Sequence, residues 1–157
     1  VKKKLLAVLA VSALLLTGCG DKKVSAATDN LPTVTTNQGE APTIGAPTGN
    51  PPTTLVTKDI IVGSGAEALP TSTMTVHYTL MTWSNGKLIE SSWTSGSPAT
   101  FPLANVIIGW QQGIPGMKVG GRRLLVIPPD LGYGAQGGGP IGPNETLIFV
   151  VDSIGVA

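Results

Sequence analysis

The chain has 157 residues and a formal charge of +1, a length for one domain, and its front third holds too few large apolar side chains to build a second core. Ten basic residues against nine acidic ones leave no electrostatic footprint for nucleic acid. Twenty-one glycines and thirteen prolines set among short apolar runs argue for strands and turns rather than a helical bundle.

Residues 1 to 18 read as an export signal. A basic start (Lys2, Lys3, Lys4) precedes the largely apolar run Leu5 to Leu16, and Leu16-Thr17-Gly18-Cys19 follows. That run is too short to cross a hydrocarbon layer about 30 Å thick, which takes roughly 20 helical residues. The closing tetrapeptide resembles the bacterial lipobox, which implies a lipid thioether on Cys19 and cleavage just before it. Cys19 is the only cysteine, so no disulfide can form within the chain. Removal of the signal leaves 7 basic and 9 acidic residues, a net −2. The expected location is extracytoplasmic, lipid-anchored to a bacterial membrane without spanning it.

From residue 19 to 54 the chain is rich in Thr, Pro, Asn and Gly and has no aromatic residue, so it is expected to be a disordered linker behind the lipidated cysteine. The folded domain is expected over residues 55 to 157. All seven aromatic residues lie there, between Tyr78 and Phe149.

Leu55 to Val62 is a candidate first strand, closed by Gly63-Ser64-Gly65. The stretch Ile60 to Ala68 imitates a dinucleotide-binding turn, but Leu69-Pro70 and a threonine-rich strand stand where a helix should continue. Residues 73 to 80 alternate with period two: Met74, Val76, Tyr78 and Leu80 share one face, and Thr73, Thr75, His77 and Thr79 the other. Tyr78 therefore points inward, and His77, the only histidine, is expected on the surface. Ser91 and Ser92 then have no base partner, and neither a metal site nor a nucleophile constellation can be assembled. Asn85-Gly86 marks a turn into Lys87 to Glu90. Phe101, Arg122 to Ile127 and Leu147 to Ile154 supply further strands, with Arg122-Arg123 expected as a solvated pair.

Between these strands, Val106, Trp110 and Ile114 lie one helical turn apart, and Gly113 ends the short helix they define. Gly120-Gly121-Arg122-Arg123, Ile127-Pro128-Pro129, Gly132-Tyr133-Gly134 and Pro143-Asn144-Glu145-Thr146-Leu147 follow, with Val76-His77-Tyr78 upstream. This order of motifs resembles the FKBP-type peptidyl-prolyl isomerases over about residues 55 to 157. The resemblance implies an α+β fold in which a curled antiparallel sheet of about five strands wraps one short α-helix. It also implies catalytic roles for Tyr78, Glu90, Trp110, Tyr133 and Phe149. Substrate contacts would come from Ile89, Phe101, Val106, Ile107 (through its backbone N–H) and Ile141, the last on a flap after Gly137-Gly138-Gly139. No cofactor or metal is implied. The implied partners are proline-containing unfolded or exported polypeptides and a macrolide ligand, and the chain is expected to be a monomer.

Three features depart from the family pattern. Ile89-Glu90 stands where a phenylalanine-aspartate pair is usual, Ala99 replaces a second wall phenylalanine, and the flap is about one residue shorter. Alanine supplies no ring wall, and Ile89 loses a flat face. The extra methylene of Glu90 shifts its carboxylate and threatens the expected hydrogen bond with Tyr78. A shallower pocket with reduced or altered substrate preference is expected. The alternative reading is a proline-peptide binding or chaperone module of the same fold with weak or no turnover.

Overall fold

The structure, a computed structural model, describes residues 30–157, so the expected signal segment and Cys19 lie outside the described residues. Six strands form one antiparallel sheet: β1 (Val56–Ile61), β2 (Thr73–Thr82), β3 (Leu88–Ser91), β4 (Ala99–Pro102), β5 (Arg122–Ile127) and β6 (Leu147–Val156). Two short helices accompany it, α1 (Ser92–Ser95) and α2 (Ile108–Gly113). The order across the sheet is β1-β5-β6-β2-β3, and β4 also pairs with β2. One edge of β2 is therefore shared: β4 pairs with its first half from Thr73 to Val76, and β3 with Thr79 to Met81. The helix α1 fills the step between the two partners. The register slips between Leu80 and Met81, which leaves Ile89 as an extra residue in β3.

Alternation along β2 sends Met74, Val76 and Leu80 to the concave face. There they meet Leu125, Ile127, Leu147, Phe149 and Val151 and pack against Trp110, Ile114 and Leu103. The helix α2 lies close on β5 because Gly109 and Gly113 face it: a Cβ at Gly109 would collide with Ile127, and one at Gly113 would stand 2.6 Å from Leu125 Cδ2. Trp110, between them, is 4% exposed.

The convex face is buried too. Met81, Trp83, Leu124, Val126, Ile148 and Val150 form a second apolar layer, and Leu31, Val34 and Ile44 cover it. Residues 31 to 52 are thus a strap folded on the sheet, which corrects the expectation of a disordered linker for this part of 19–54. The strap doubles back through a Val34–Ile44 bridge and the bond from Gly45 N–H to the Thr33 carbonyl (2.8 Å). Trp83 Nε1–H donates to the Gly49 carbonyl at 3.1 Å, and Pro32 and Pro52 are buried.

Arg122 fastens the strap and is 0% exposed, so the expectation of a solvated arginine pair is overturned. Its Nε–H donates to Asp152 Oδ1 on β6 at 2.7 Å. Its terminal nitrogens donate to the carbonyls of Thr35 (2.9 Å) and Glu40 (2.6 Å) and to Asn37 Oδ1 (3.3 Å). A buried guanidinium with these partners has its charge and its donors accounted for together. Arg123, on the opposite face of β5, pairs with Asp59 at 2.6 Å and donates to the Gly113 and Pro115 carbonyls at the end of α2.

Candidate active site

The concave face opens to solvent through one cleft of about 300 Å³, at the lower end of the range for small-ligand sites. Tyr78, Leu80, Glu90, Phe101, Asn105, Val106, Ile107, Trp110, Tyr133 and Phe149 line it. Four rings meet there. Trp110 stands edge-on to Phe149 (centroids 5.3 Å apart), Tyr78 (5.8 Å) and Phe101 (6.0 Å), with interplanar angles of 83° to 88°. Edge-to-face contacts at these separations stabilise the cluster beyond plain area burial, by about 0.5–1.5 kcal/mol per pair. They also fix the indole as a rigid floor.

Polar groups stand at the rim. Tyr78 Oη donates to Glu90 Oε1 at 2.6 Å, so the longer side chain does not break this bond as expected. Burial, and then the hydrogen bond and negative charge of Glu90, push the Tyr78 phenol well above its ordinary range. It therefore stays a neutral donor. Tyr133 is 42% exposed on the loop after the Pro129–Leu131 turn, and the flap backbone at Gly138 lies against its ring. The Ile107 carbonyl accepts from the N–H groups of Trp110 and Gln111 at the start of α2, whereas the Ile107 N–H has no acceptor among the described residues. Ile107 lines the cleft, where the carbonyl of a bound chain could serve as its acceptor.

Eight of the ten expected site residues thus come together. Two do not. Ile141 is 5% exposed and packs in the core, because the flap closes on itself through reciprocal Gly138–Ile141 backbone bonds of 2.9 Å. Ile89, the extra residue of β3, packs half-buried against the core without lining the cleft. Leu80 and Asn105 line it and were not expected there. Leu80 was signalled by its place in the Tyr78 row, two residues on; Asn105 carried no signal.

His77 lies on the outward face of β2 as expected, half-buried beside a neighbour that the sequence did not announce. His77 stacks on Trp93 at 3.9 Å with its Nδ1 2.9 Å from Ser92 Oγ, so Ser92 does have a base neighbour. That hydroxyl is nevertheless buried and also accepts the Tyr78 N–H at 2.9 Å. The group lies on the convex side and braces β2 against α1 rather than presenting a nucleophile. Among the described residues no group of three or more His, Cys, Asp and Glu side chains could hold a metal ion.

Residues 65–153 match the family model described as FKBP-type peptidyl-prolyl cis-trans isomerase. The chain belongs to this family. It is a peptidyl-prolyl cis-trans isomerase. A probable FK506-binding protein of Corynebacterium glutamicum is 50% identical over 115 residues, 73% of this chain and 98% of that protein. Among solved structures, FkpA from Escherichia coli superposes with a TM-score of 0.62 at 39% identity, covering 65% of this chain and 47% of FkpA. AtFKBP13 gives 0.60 at 39% identity, with 66% of this chain and 93% of that one covered.

Proposed function

We propose that this isomerase turns X-Pro bonds of exported polypeptides at a bacterial cell envelope, held there by lipid on Cys19, and that it works without covalent chemistry. The observation that carries the mechanism is the buried Trp110 floor of an open cleft walled by Tyr78, Phe101, Val106 and Phe149. Rotation about an amide C–N bond is opposed by about 18–20 kcal/mol of resonance, while cis and trans X-Pro differ by only about 0.5–1 kcal/mol. The task is to lower a barrier. A twisted imide has lost conjugation, and its carbonyl is less polar than the planar form. An apolar cleft that excludes water accommodates the twisted form better than the planar one. A hundred-thousandfold acceleration requires about 7 kcal/mol of such preference.

Val106, Phe149 and the indole face grip the proline ring. The Ile107 N–H and the Tyr133 hydroxyl then hold the flanking chain carbonyls. The Tyr78–Glu90 bond keeps the phenol ring upright beside the floor. A macrolide of the kind named for the Corynebacterium relative would occupy the same cleft. The envelope reading rests on the basic start, the Leu5–Leu16 run and the Leu16-Thr17-Gly18-Cys19 tetrapeptide.

Exchange NMR on a short X-Pro peptide tests the mechanism: cross-peaks between the cis and trans forms should appear at catalytic protein concentration and vanish for Trp110→Ala. Saturable binding without exchange would replace it with a peptide-holding role. Partition into detergent that persists in Cys19→Ser would remove the lipid anchor from the reading.

A further inference from the structure

Among the described residues Glu90 is the only charged side chain that lines the cleft; every other lining residue is apolar, aromatic or a neutral amide or phenol. The Tyr78 hydroxyl holds its Oε1 at 2.6 Å, and the Tyr78 ring stands 5.8 Å from the Trp110 floor, so the carboxylate is pinned at the rim beside the place where a proline would sit. Among the described residues no cation pairs with it. The side-chain ion pairs among the described residues are Arg122–Asp152 and Arg123–Asp59, and neither arginine lines the cleft. Oε2 has no hydrogen-bond donor among the described residues. Leu80, the partner of Glu90 in the β2–β3 register, lines the cleft too and puts apolar wall beside the carboxylate.

From this we infer that Glu90 makes the enzyme selective for prolines that have a lysine or arginine as sequence neighbour; the inference rests on the isomerase reading of the cleft. The long methylene stem of a basic residue lies along apolar surface while its head stays hydrated, and the Leu80 side of the cleft offers such a surface. The head then reaches Oε2. A rim carboxylate open to water discriminates modestly, because exposed ion pairs are screened. The expected preference is therefore about threefold to fivefold for a cation over a neutral residue. An acidic neighbour is disfavoured by a similar factor. Added salt erases both, since the screening length falls from about 10 Å at 0.1 M to about 3 Å at 1 M.

The test is kcat/KM on three peptides that differ at the residue before proline, Lys, Gln and Glu, with a second series varied after it. It is run at low and high salt on wild type and on Glu90→Gln, which keeps an acceptor for Tyr78. Expected is the order Lys, Gln, Glu in at least one series, with the spread collapsing toward unity in the variant and at 1 M salt. Equal rates for Lys and Gln in both series, or a Lys preference that survives in Glu90→Gln, would overturn the inference. Peptide affinities from tryptophan fluorescence provide a separate readout. If no peptide is turned over, the isomerase reading fails, and the Lys-to-Glu affinity ratio still decides the role of Glu90.

Discussion

Replacing Arg122 by methionine removes the cation bonded to Asp152, itself 6% exposed, from a buried cluster. The loss has three parts. The 2.7 Å ion pair goes, the carbonyls of Thr35 and Glu40 lose their donor, and the Asp152 carboxylate, whose Oδ2 already lacks a partner among the described residues, stays in an apolar layer. Breaking a buried pair from one side costs about 3–5 kcal/mol, a large part of the roughly 5–15 kcal/mol that holds a domain folded. The cost should depend on pH. Burial raises the Asp152 carboxyl above its ordinary value and Arg122 pulls it partly back, so the folded-state value rises further in the variant. A carboxyl raised in this way favours the folded state most below its unfolded value of about 3.9, and that contribution is lost as pH climbs through the folded value. Arg122→Met should therefore be most destabilised near pH 8 and less so near pH 5. Urea unfolding followed by tryptophan fluorescence at both pH values measures this. A cost below about 1 kcal/mol that is the same at both would refute the clasp, as would retention of strap protection against proteolysis.

Deleting residues 30 to 52 uncovers Trp83, Val126 and Ile148; with Leu31, Val34 and Ile44 each partly buried, thermal or urea unfolding should show a loss of about 3 kcal/mol or more. Tyr78→Phe removes the bond to Glu90 at a stability cost of about 1 kcal/mol or less, since the acceptor is exposed, and should lower kcat/KM several-fold. Because the wild-type phenol stays protonated above its ordinary value of about 10, Tyr78 should produce no fall in kcat/KM up to pH 10 in a peptide assay. Ile89→Phe should change kcat/KM little in a peptide assay, because Ile89 does not line the cleft.

The cleft was legible because its residues are carried by periodic elements. Period two along β2 aimed Tyr78 inward, and the aromatics had one concave face to meet on; the expected helix came out shorter, Ile108–Gly113, with Trp110 inside it and Val106 extended before it. Ile89 and Ile141 went astray because neither position is periodic. A bulge moved the first, and a flap that bonds to itself drew the second into the core. The His77–Ser92 contact was hidden for a related reason: α1 is a single turn, and nothing in Ser-Trp-Thr-Ser announces that Trp93 folds back over the histidine.

The strap is the instructive failure, because its composition is that of a linker and its fastening leaves no trace in its own residues. Two of the three strap groups that Arg122 binds are main-chain carbonyls, which any residue supplies, and the large apolar side chains that pack on the convex layer, Leu31, Val34 and Ile44, are widely spaced. The signal lay elsewhere. Leu124 to Ile127 and Leu147 to Val151 are unbroken apolar runs, a pattern expected of strands covered on both faces, while an antiparallel sheet with one wet face alternates. The concave side accounts for half of each run. The other half required a cover, and in a chain with one short helix on the concave side, the segment before β1 was the remaining length able to provide it. Arg122, two residues before the first run and opposite Asp152 across β5 and β6, marks where that cover is bound.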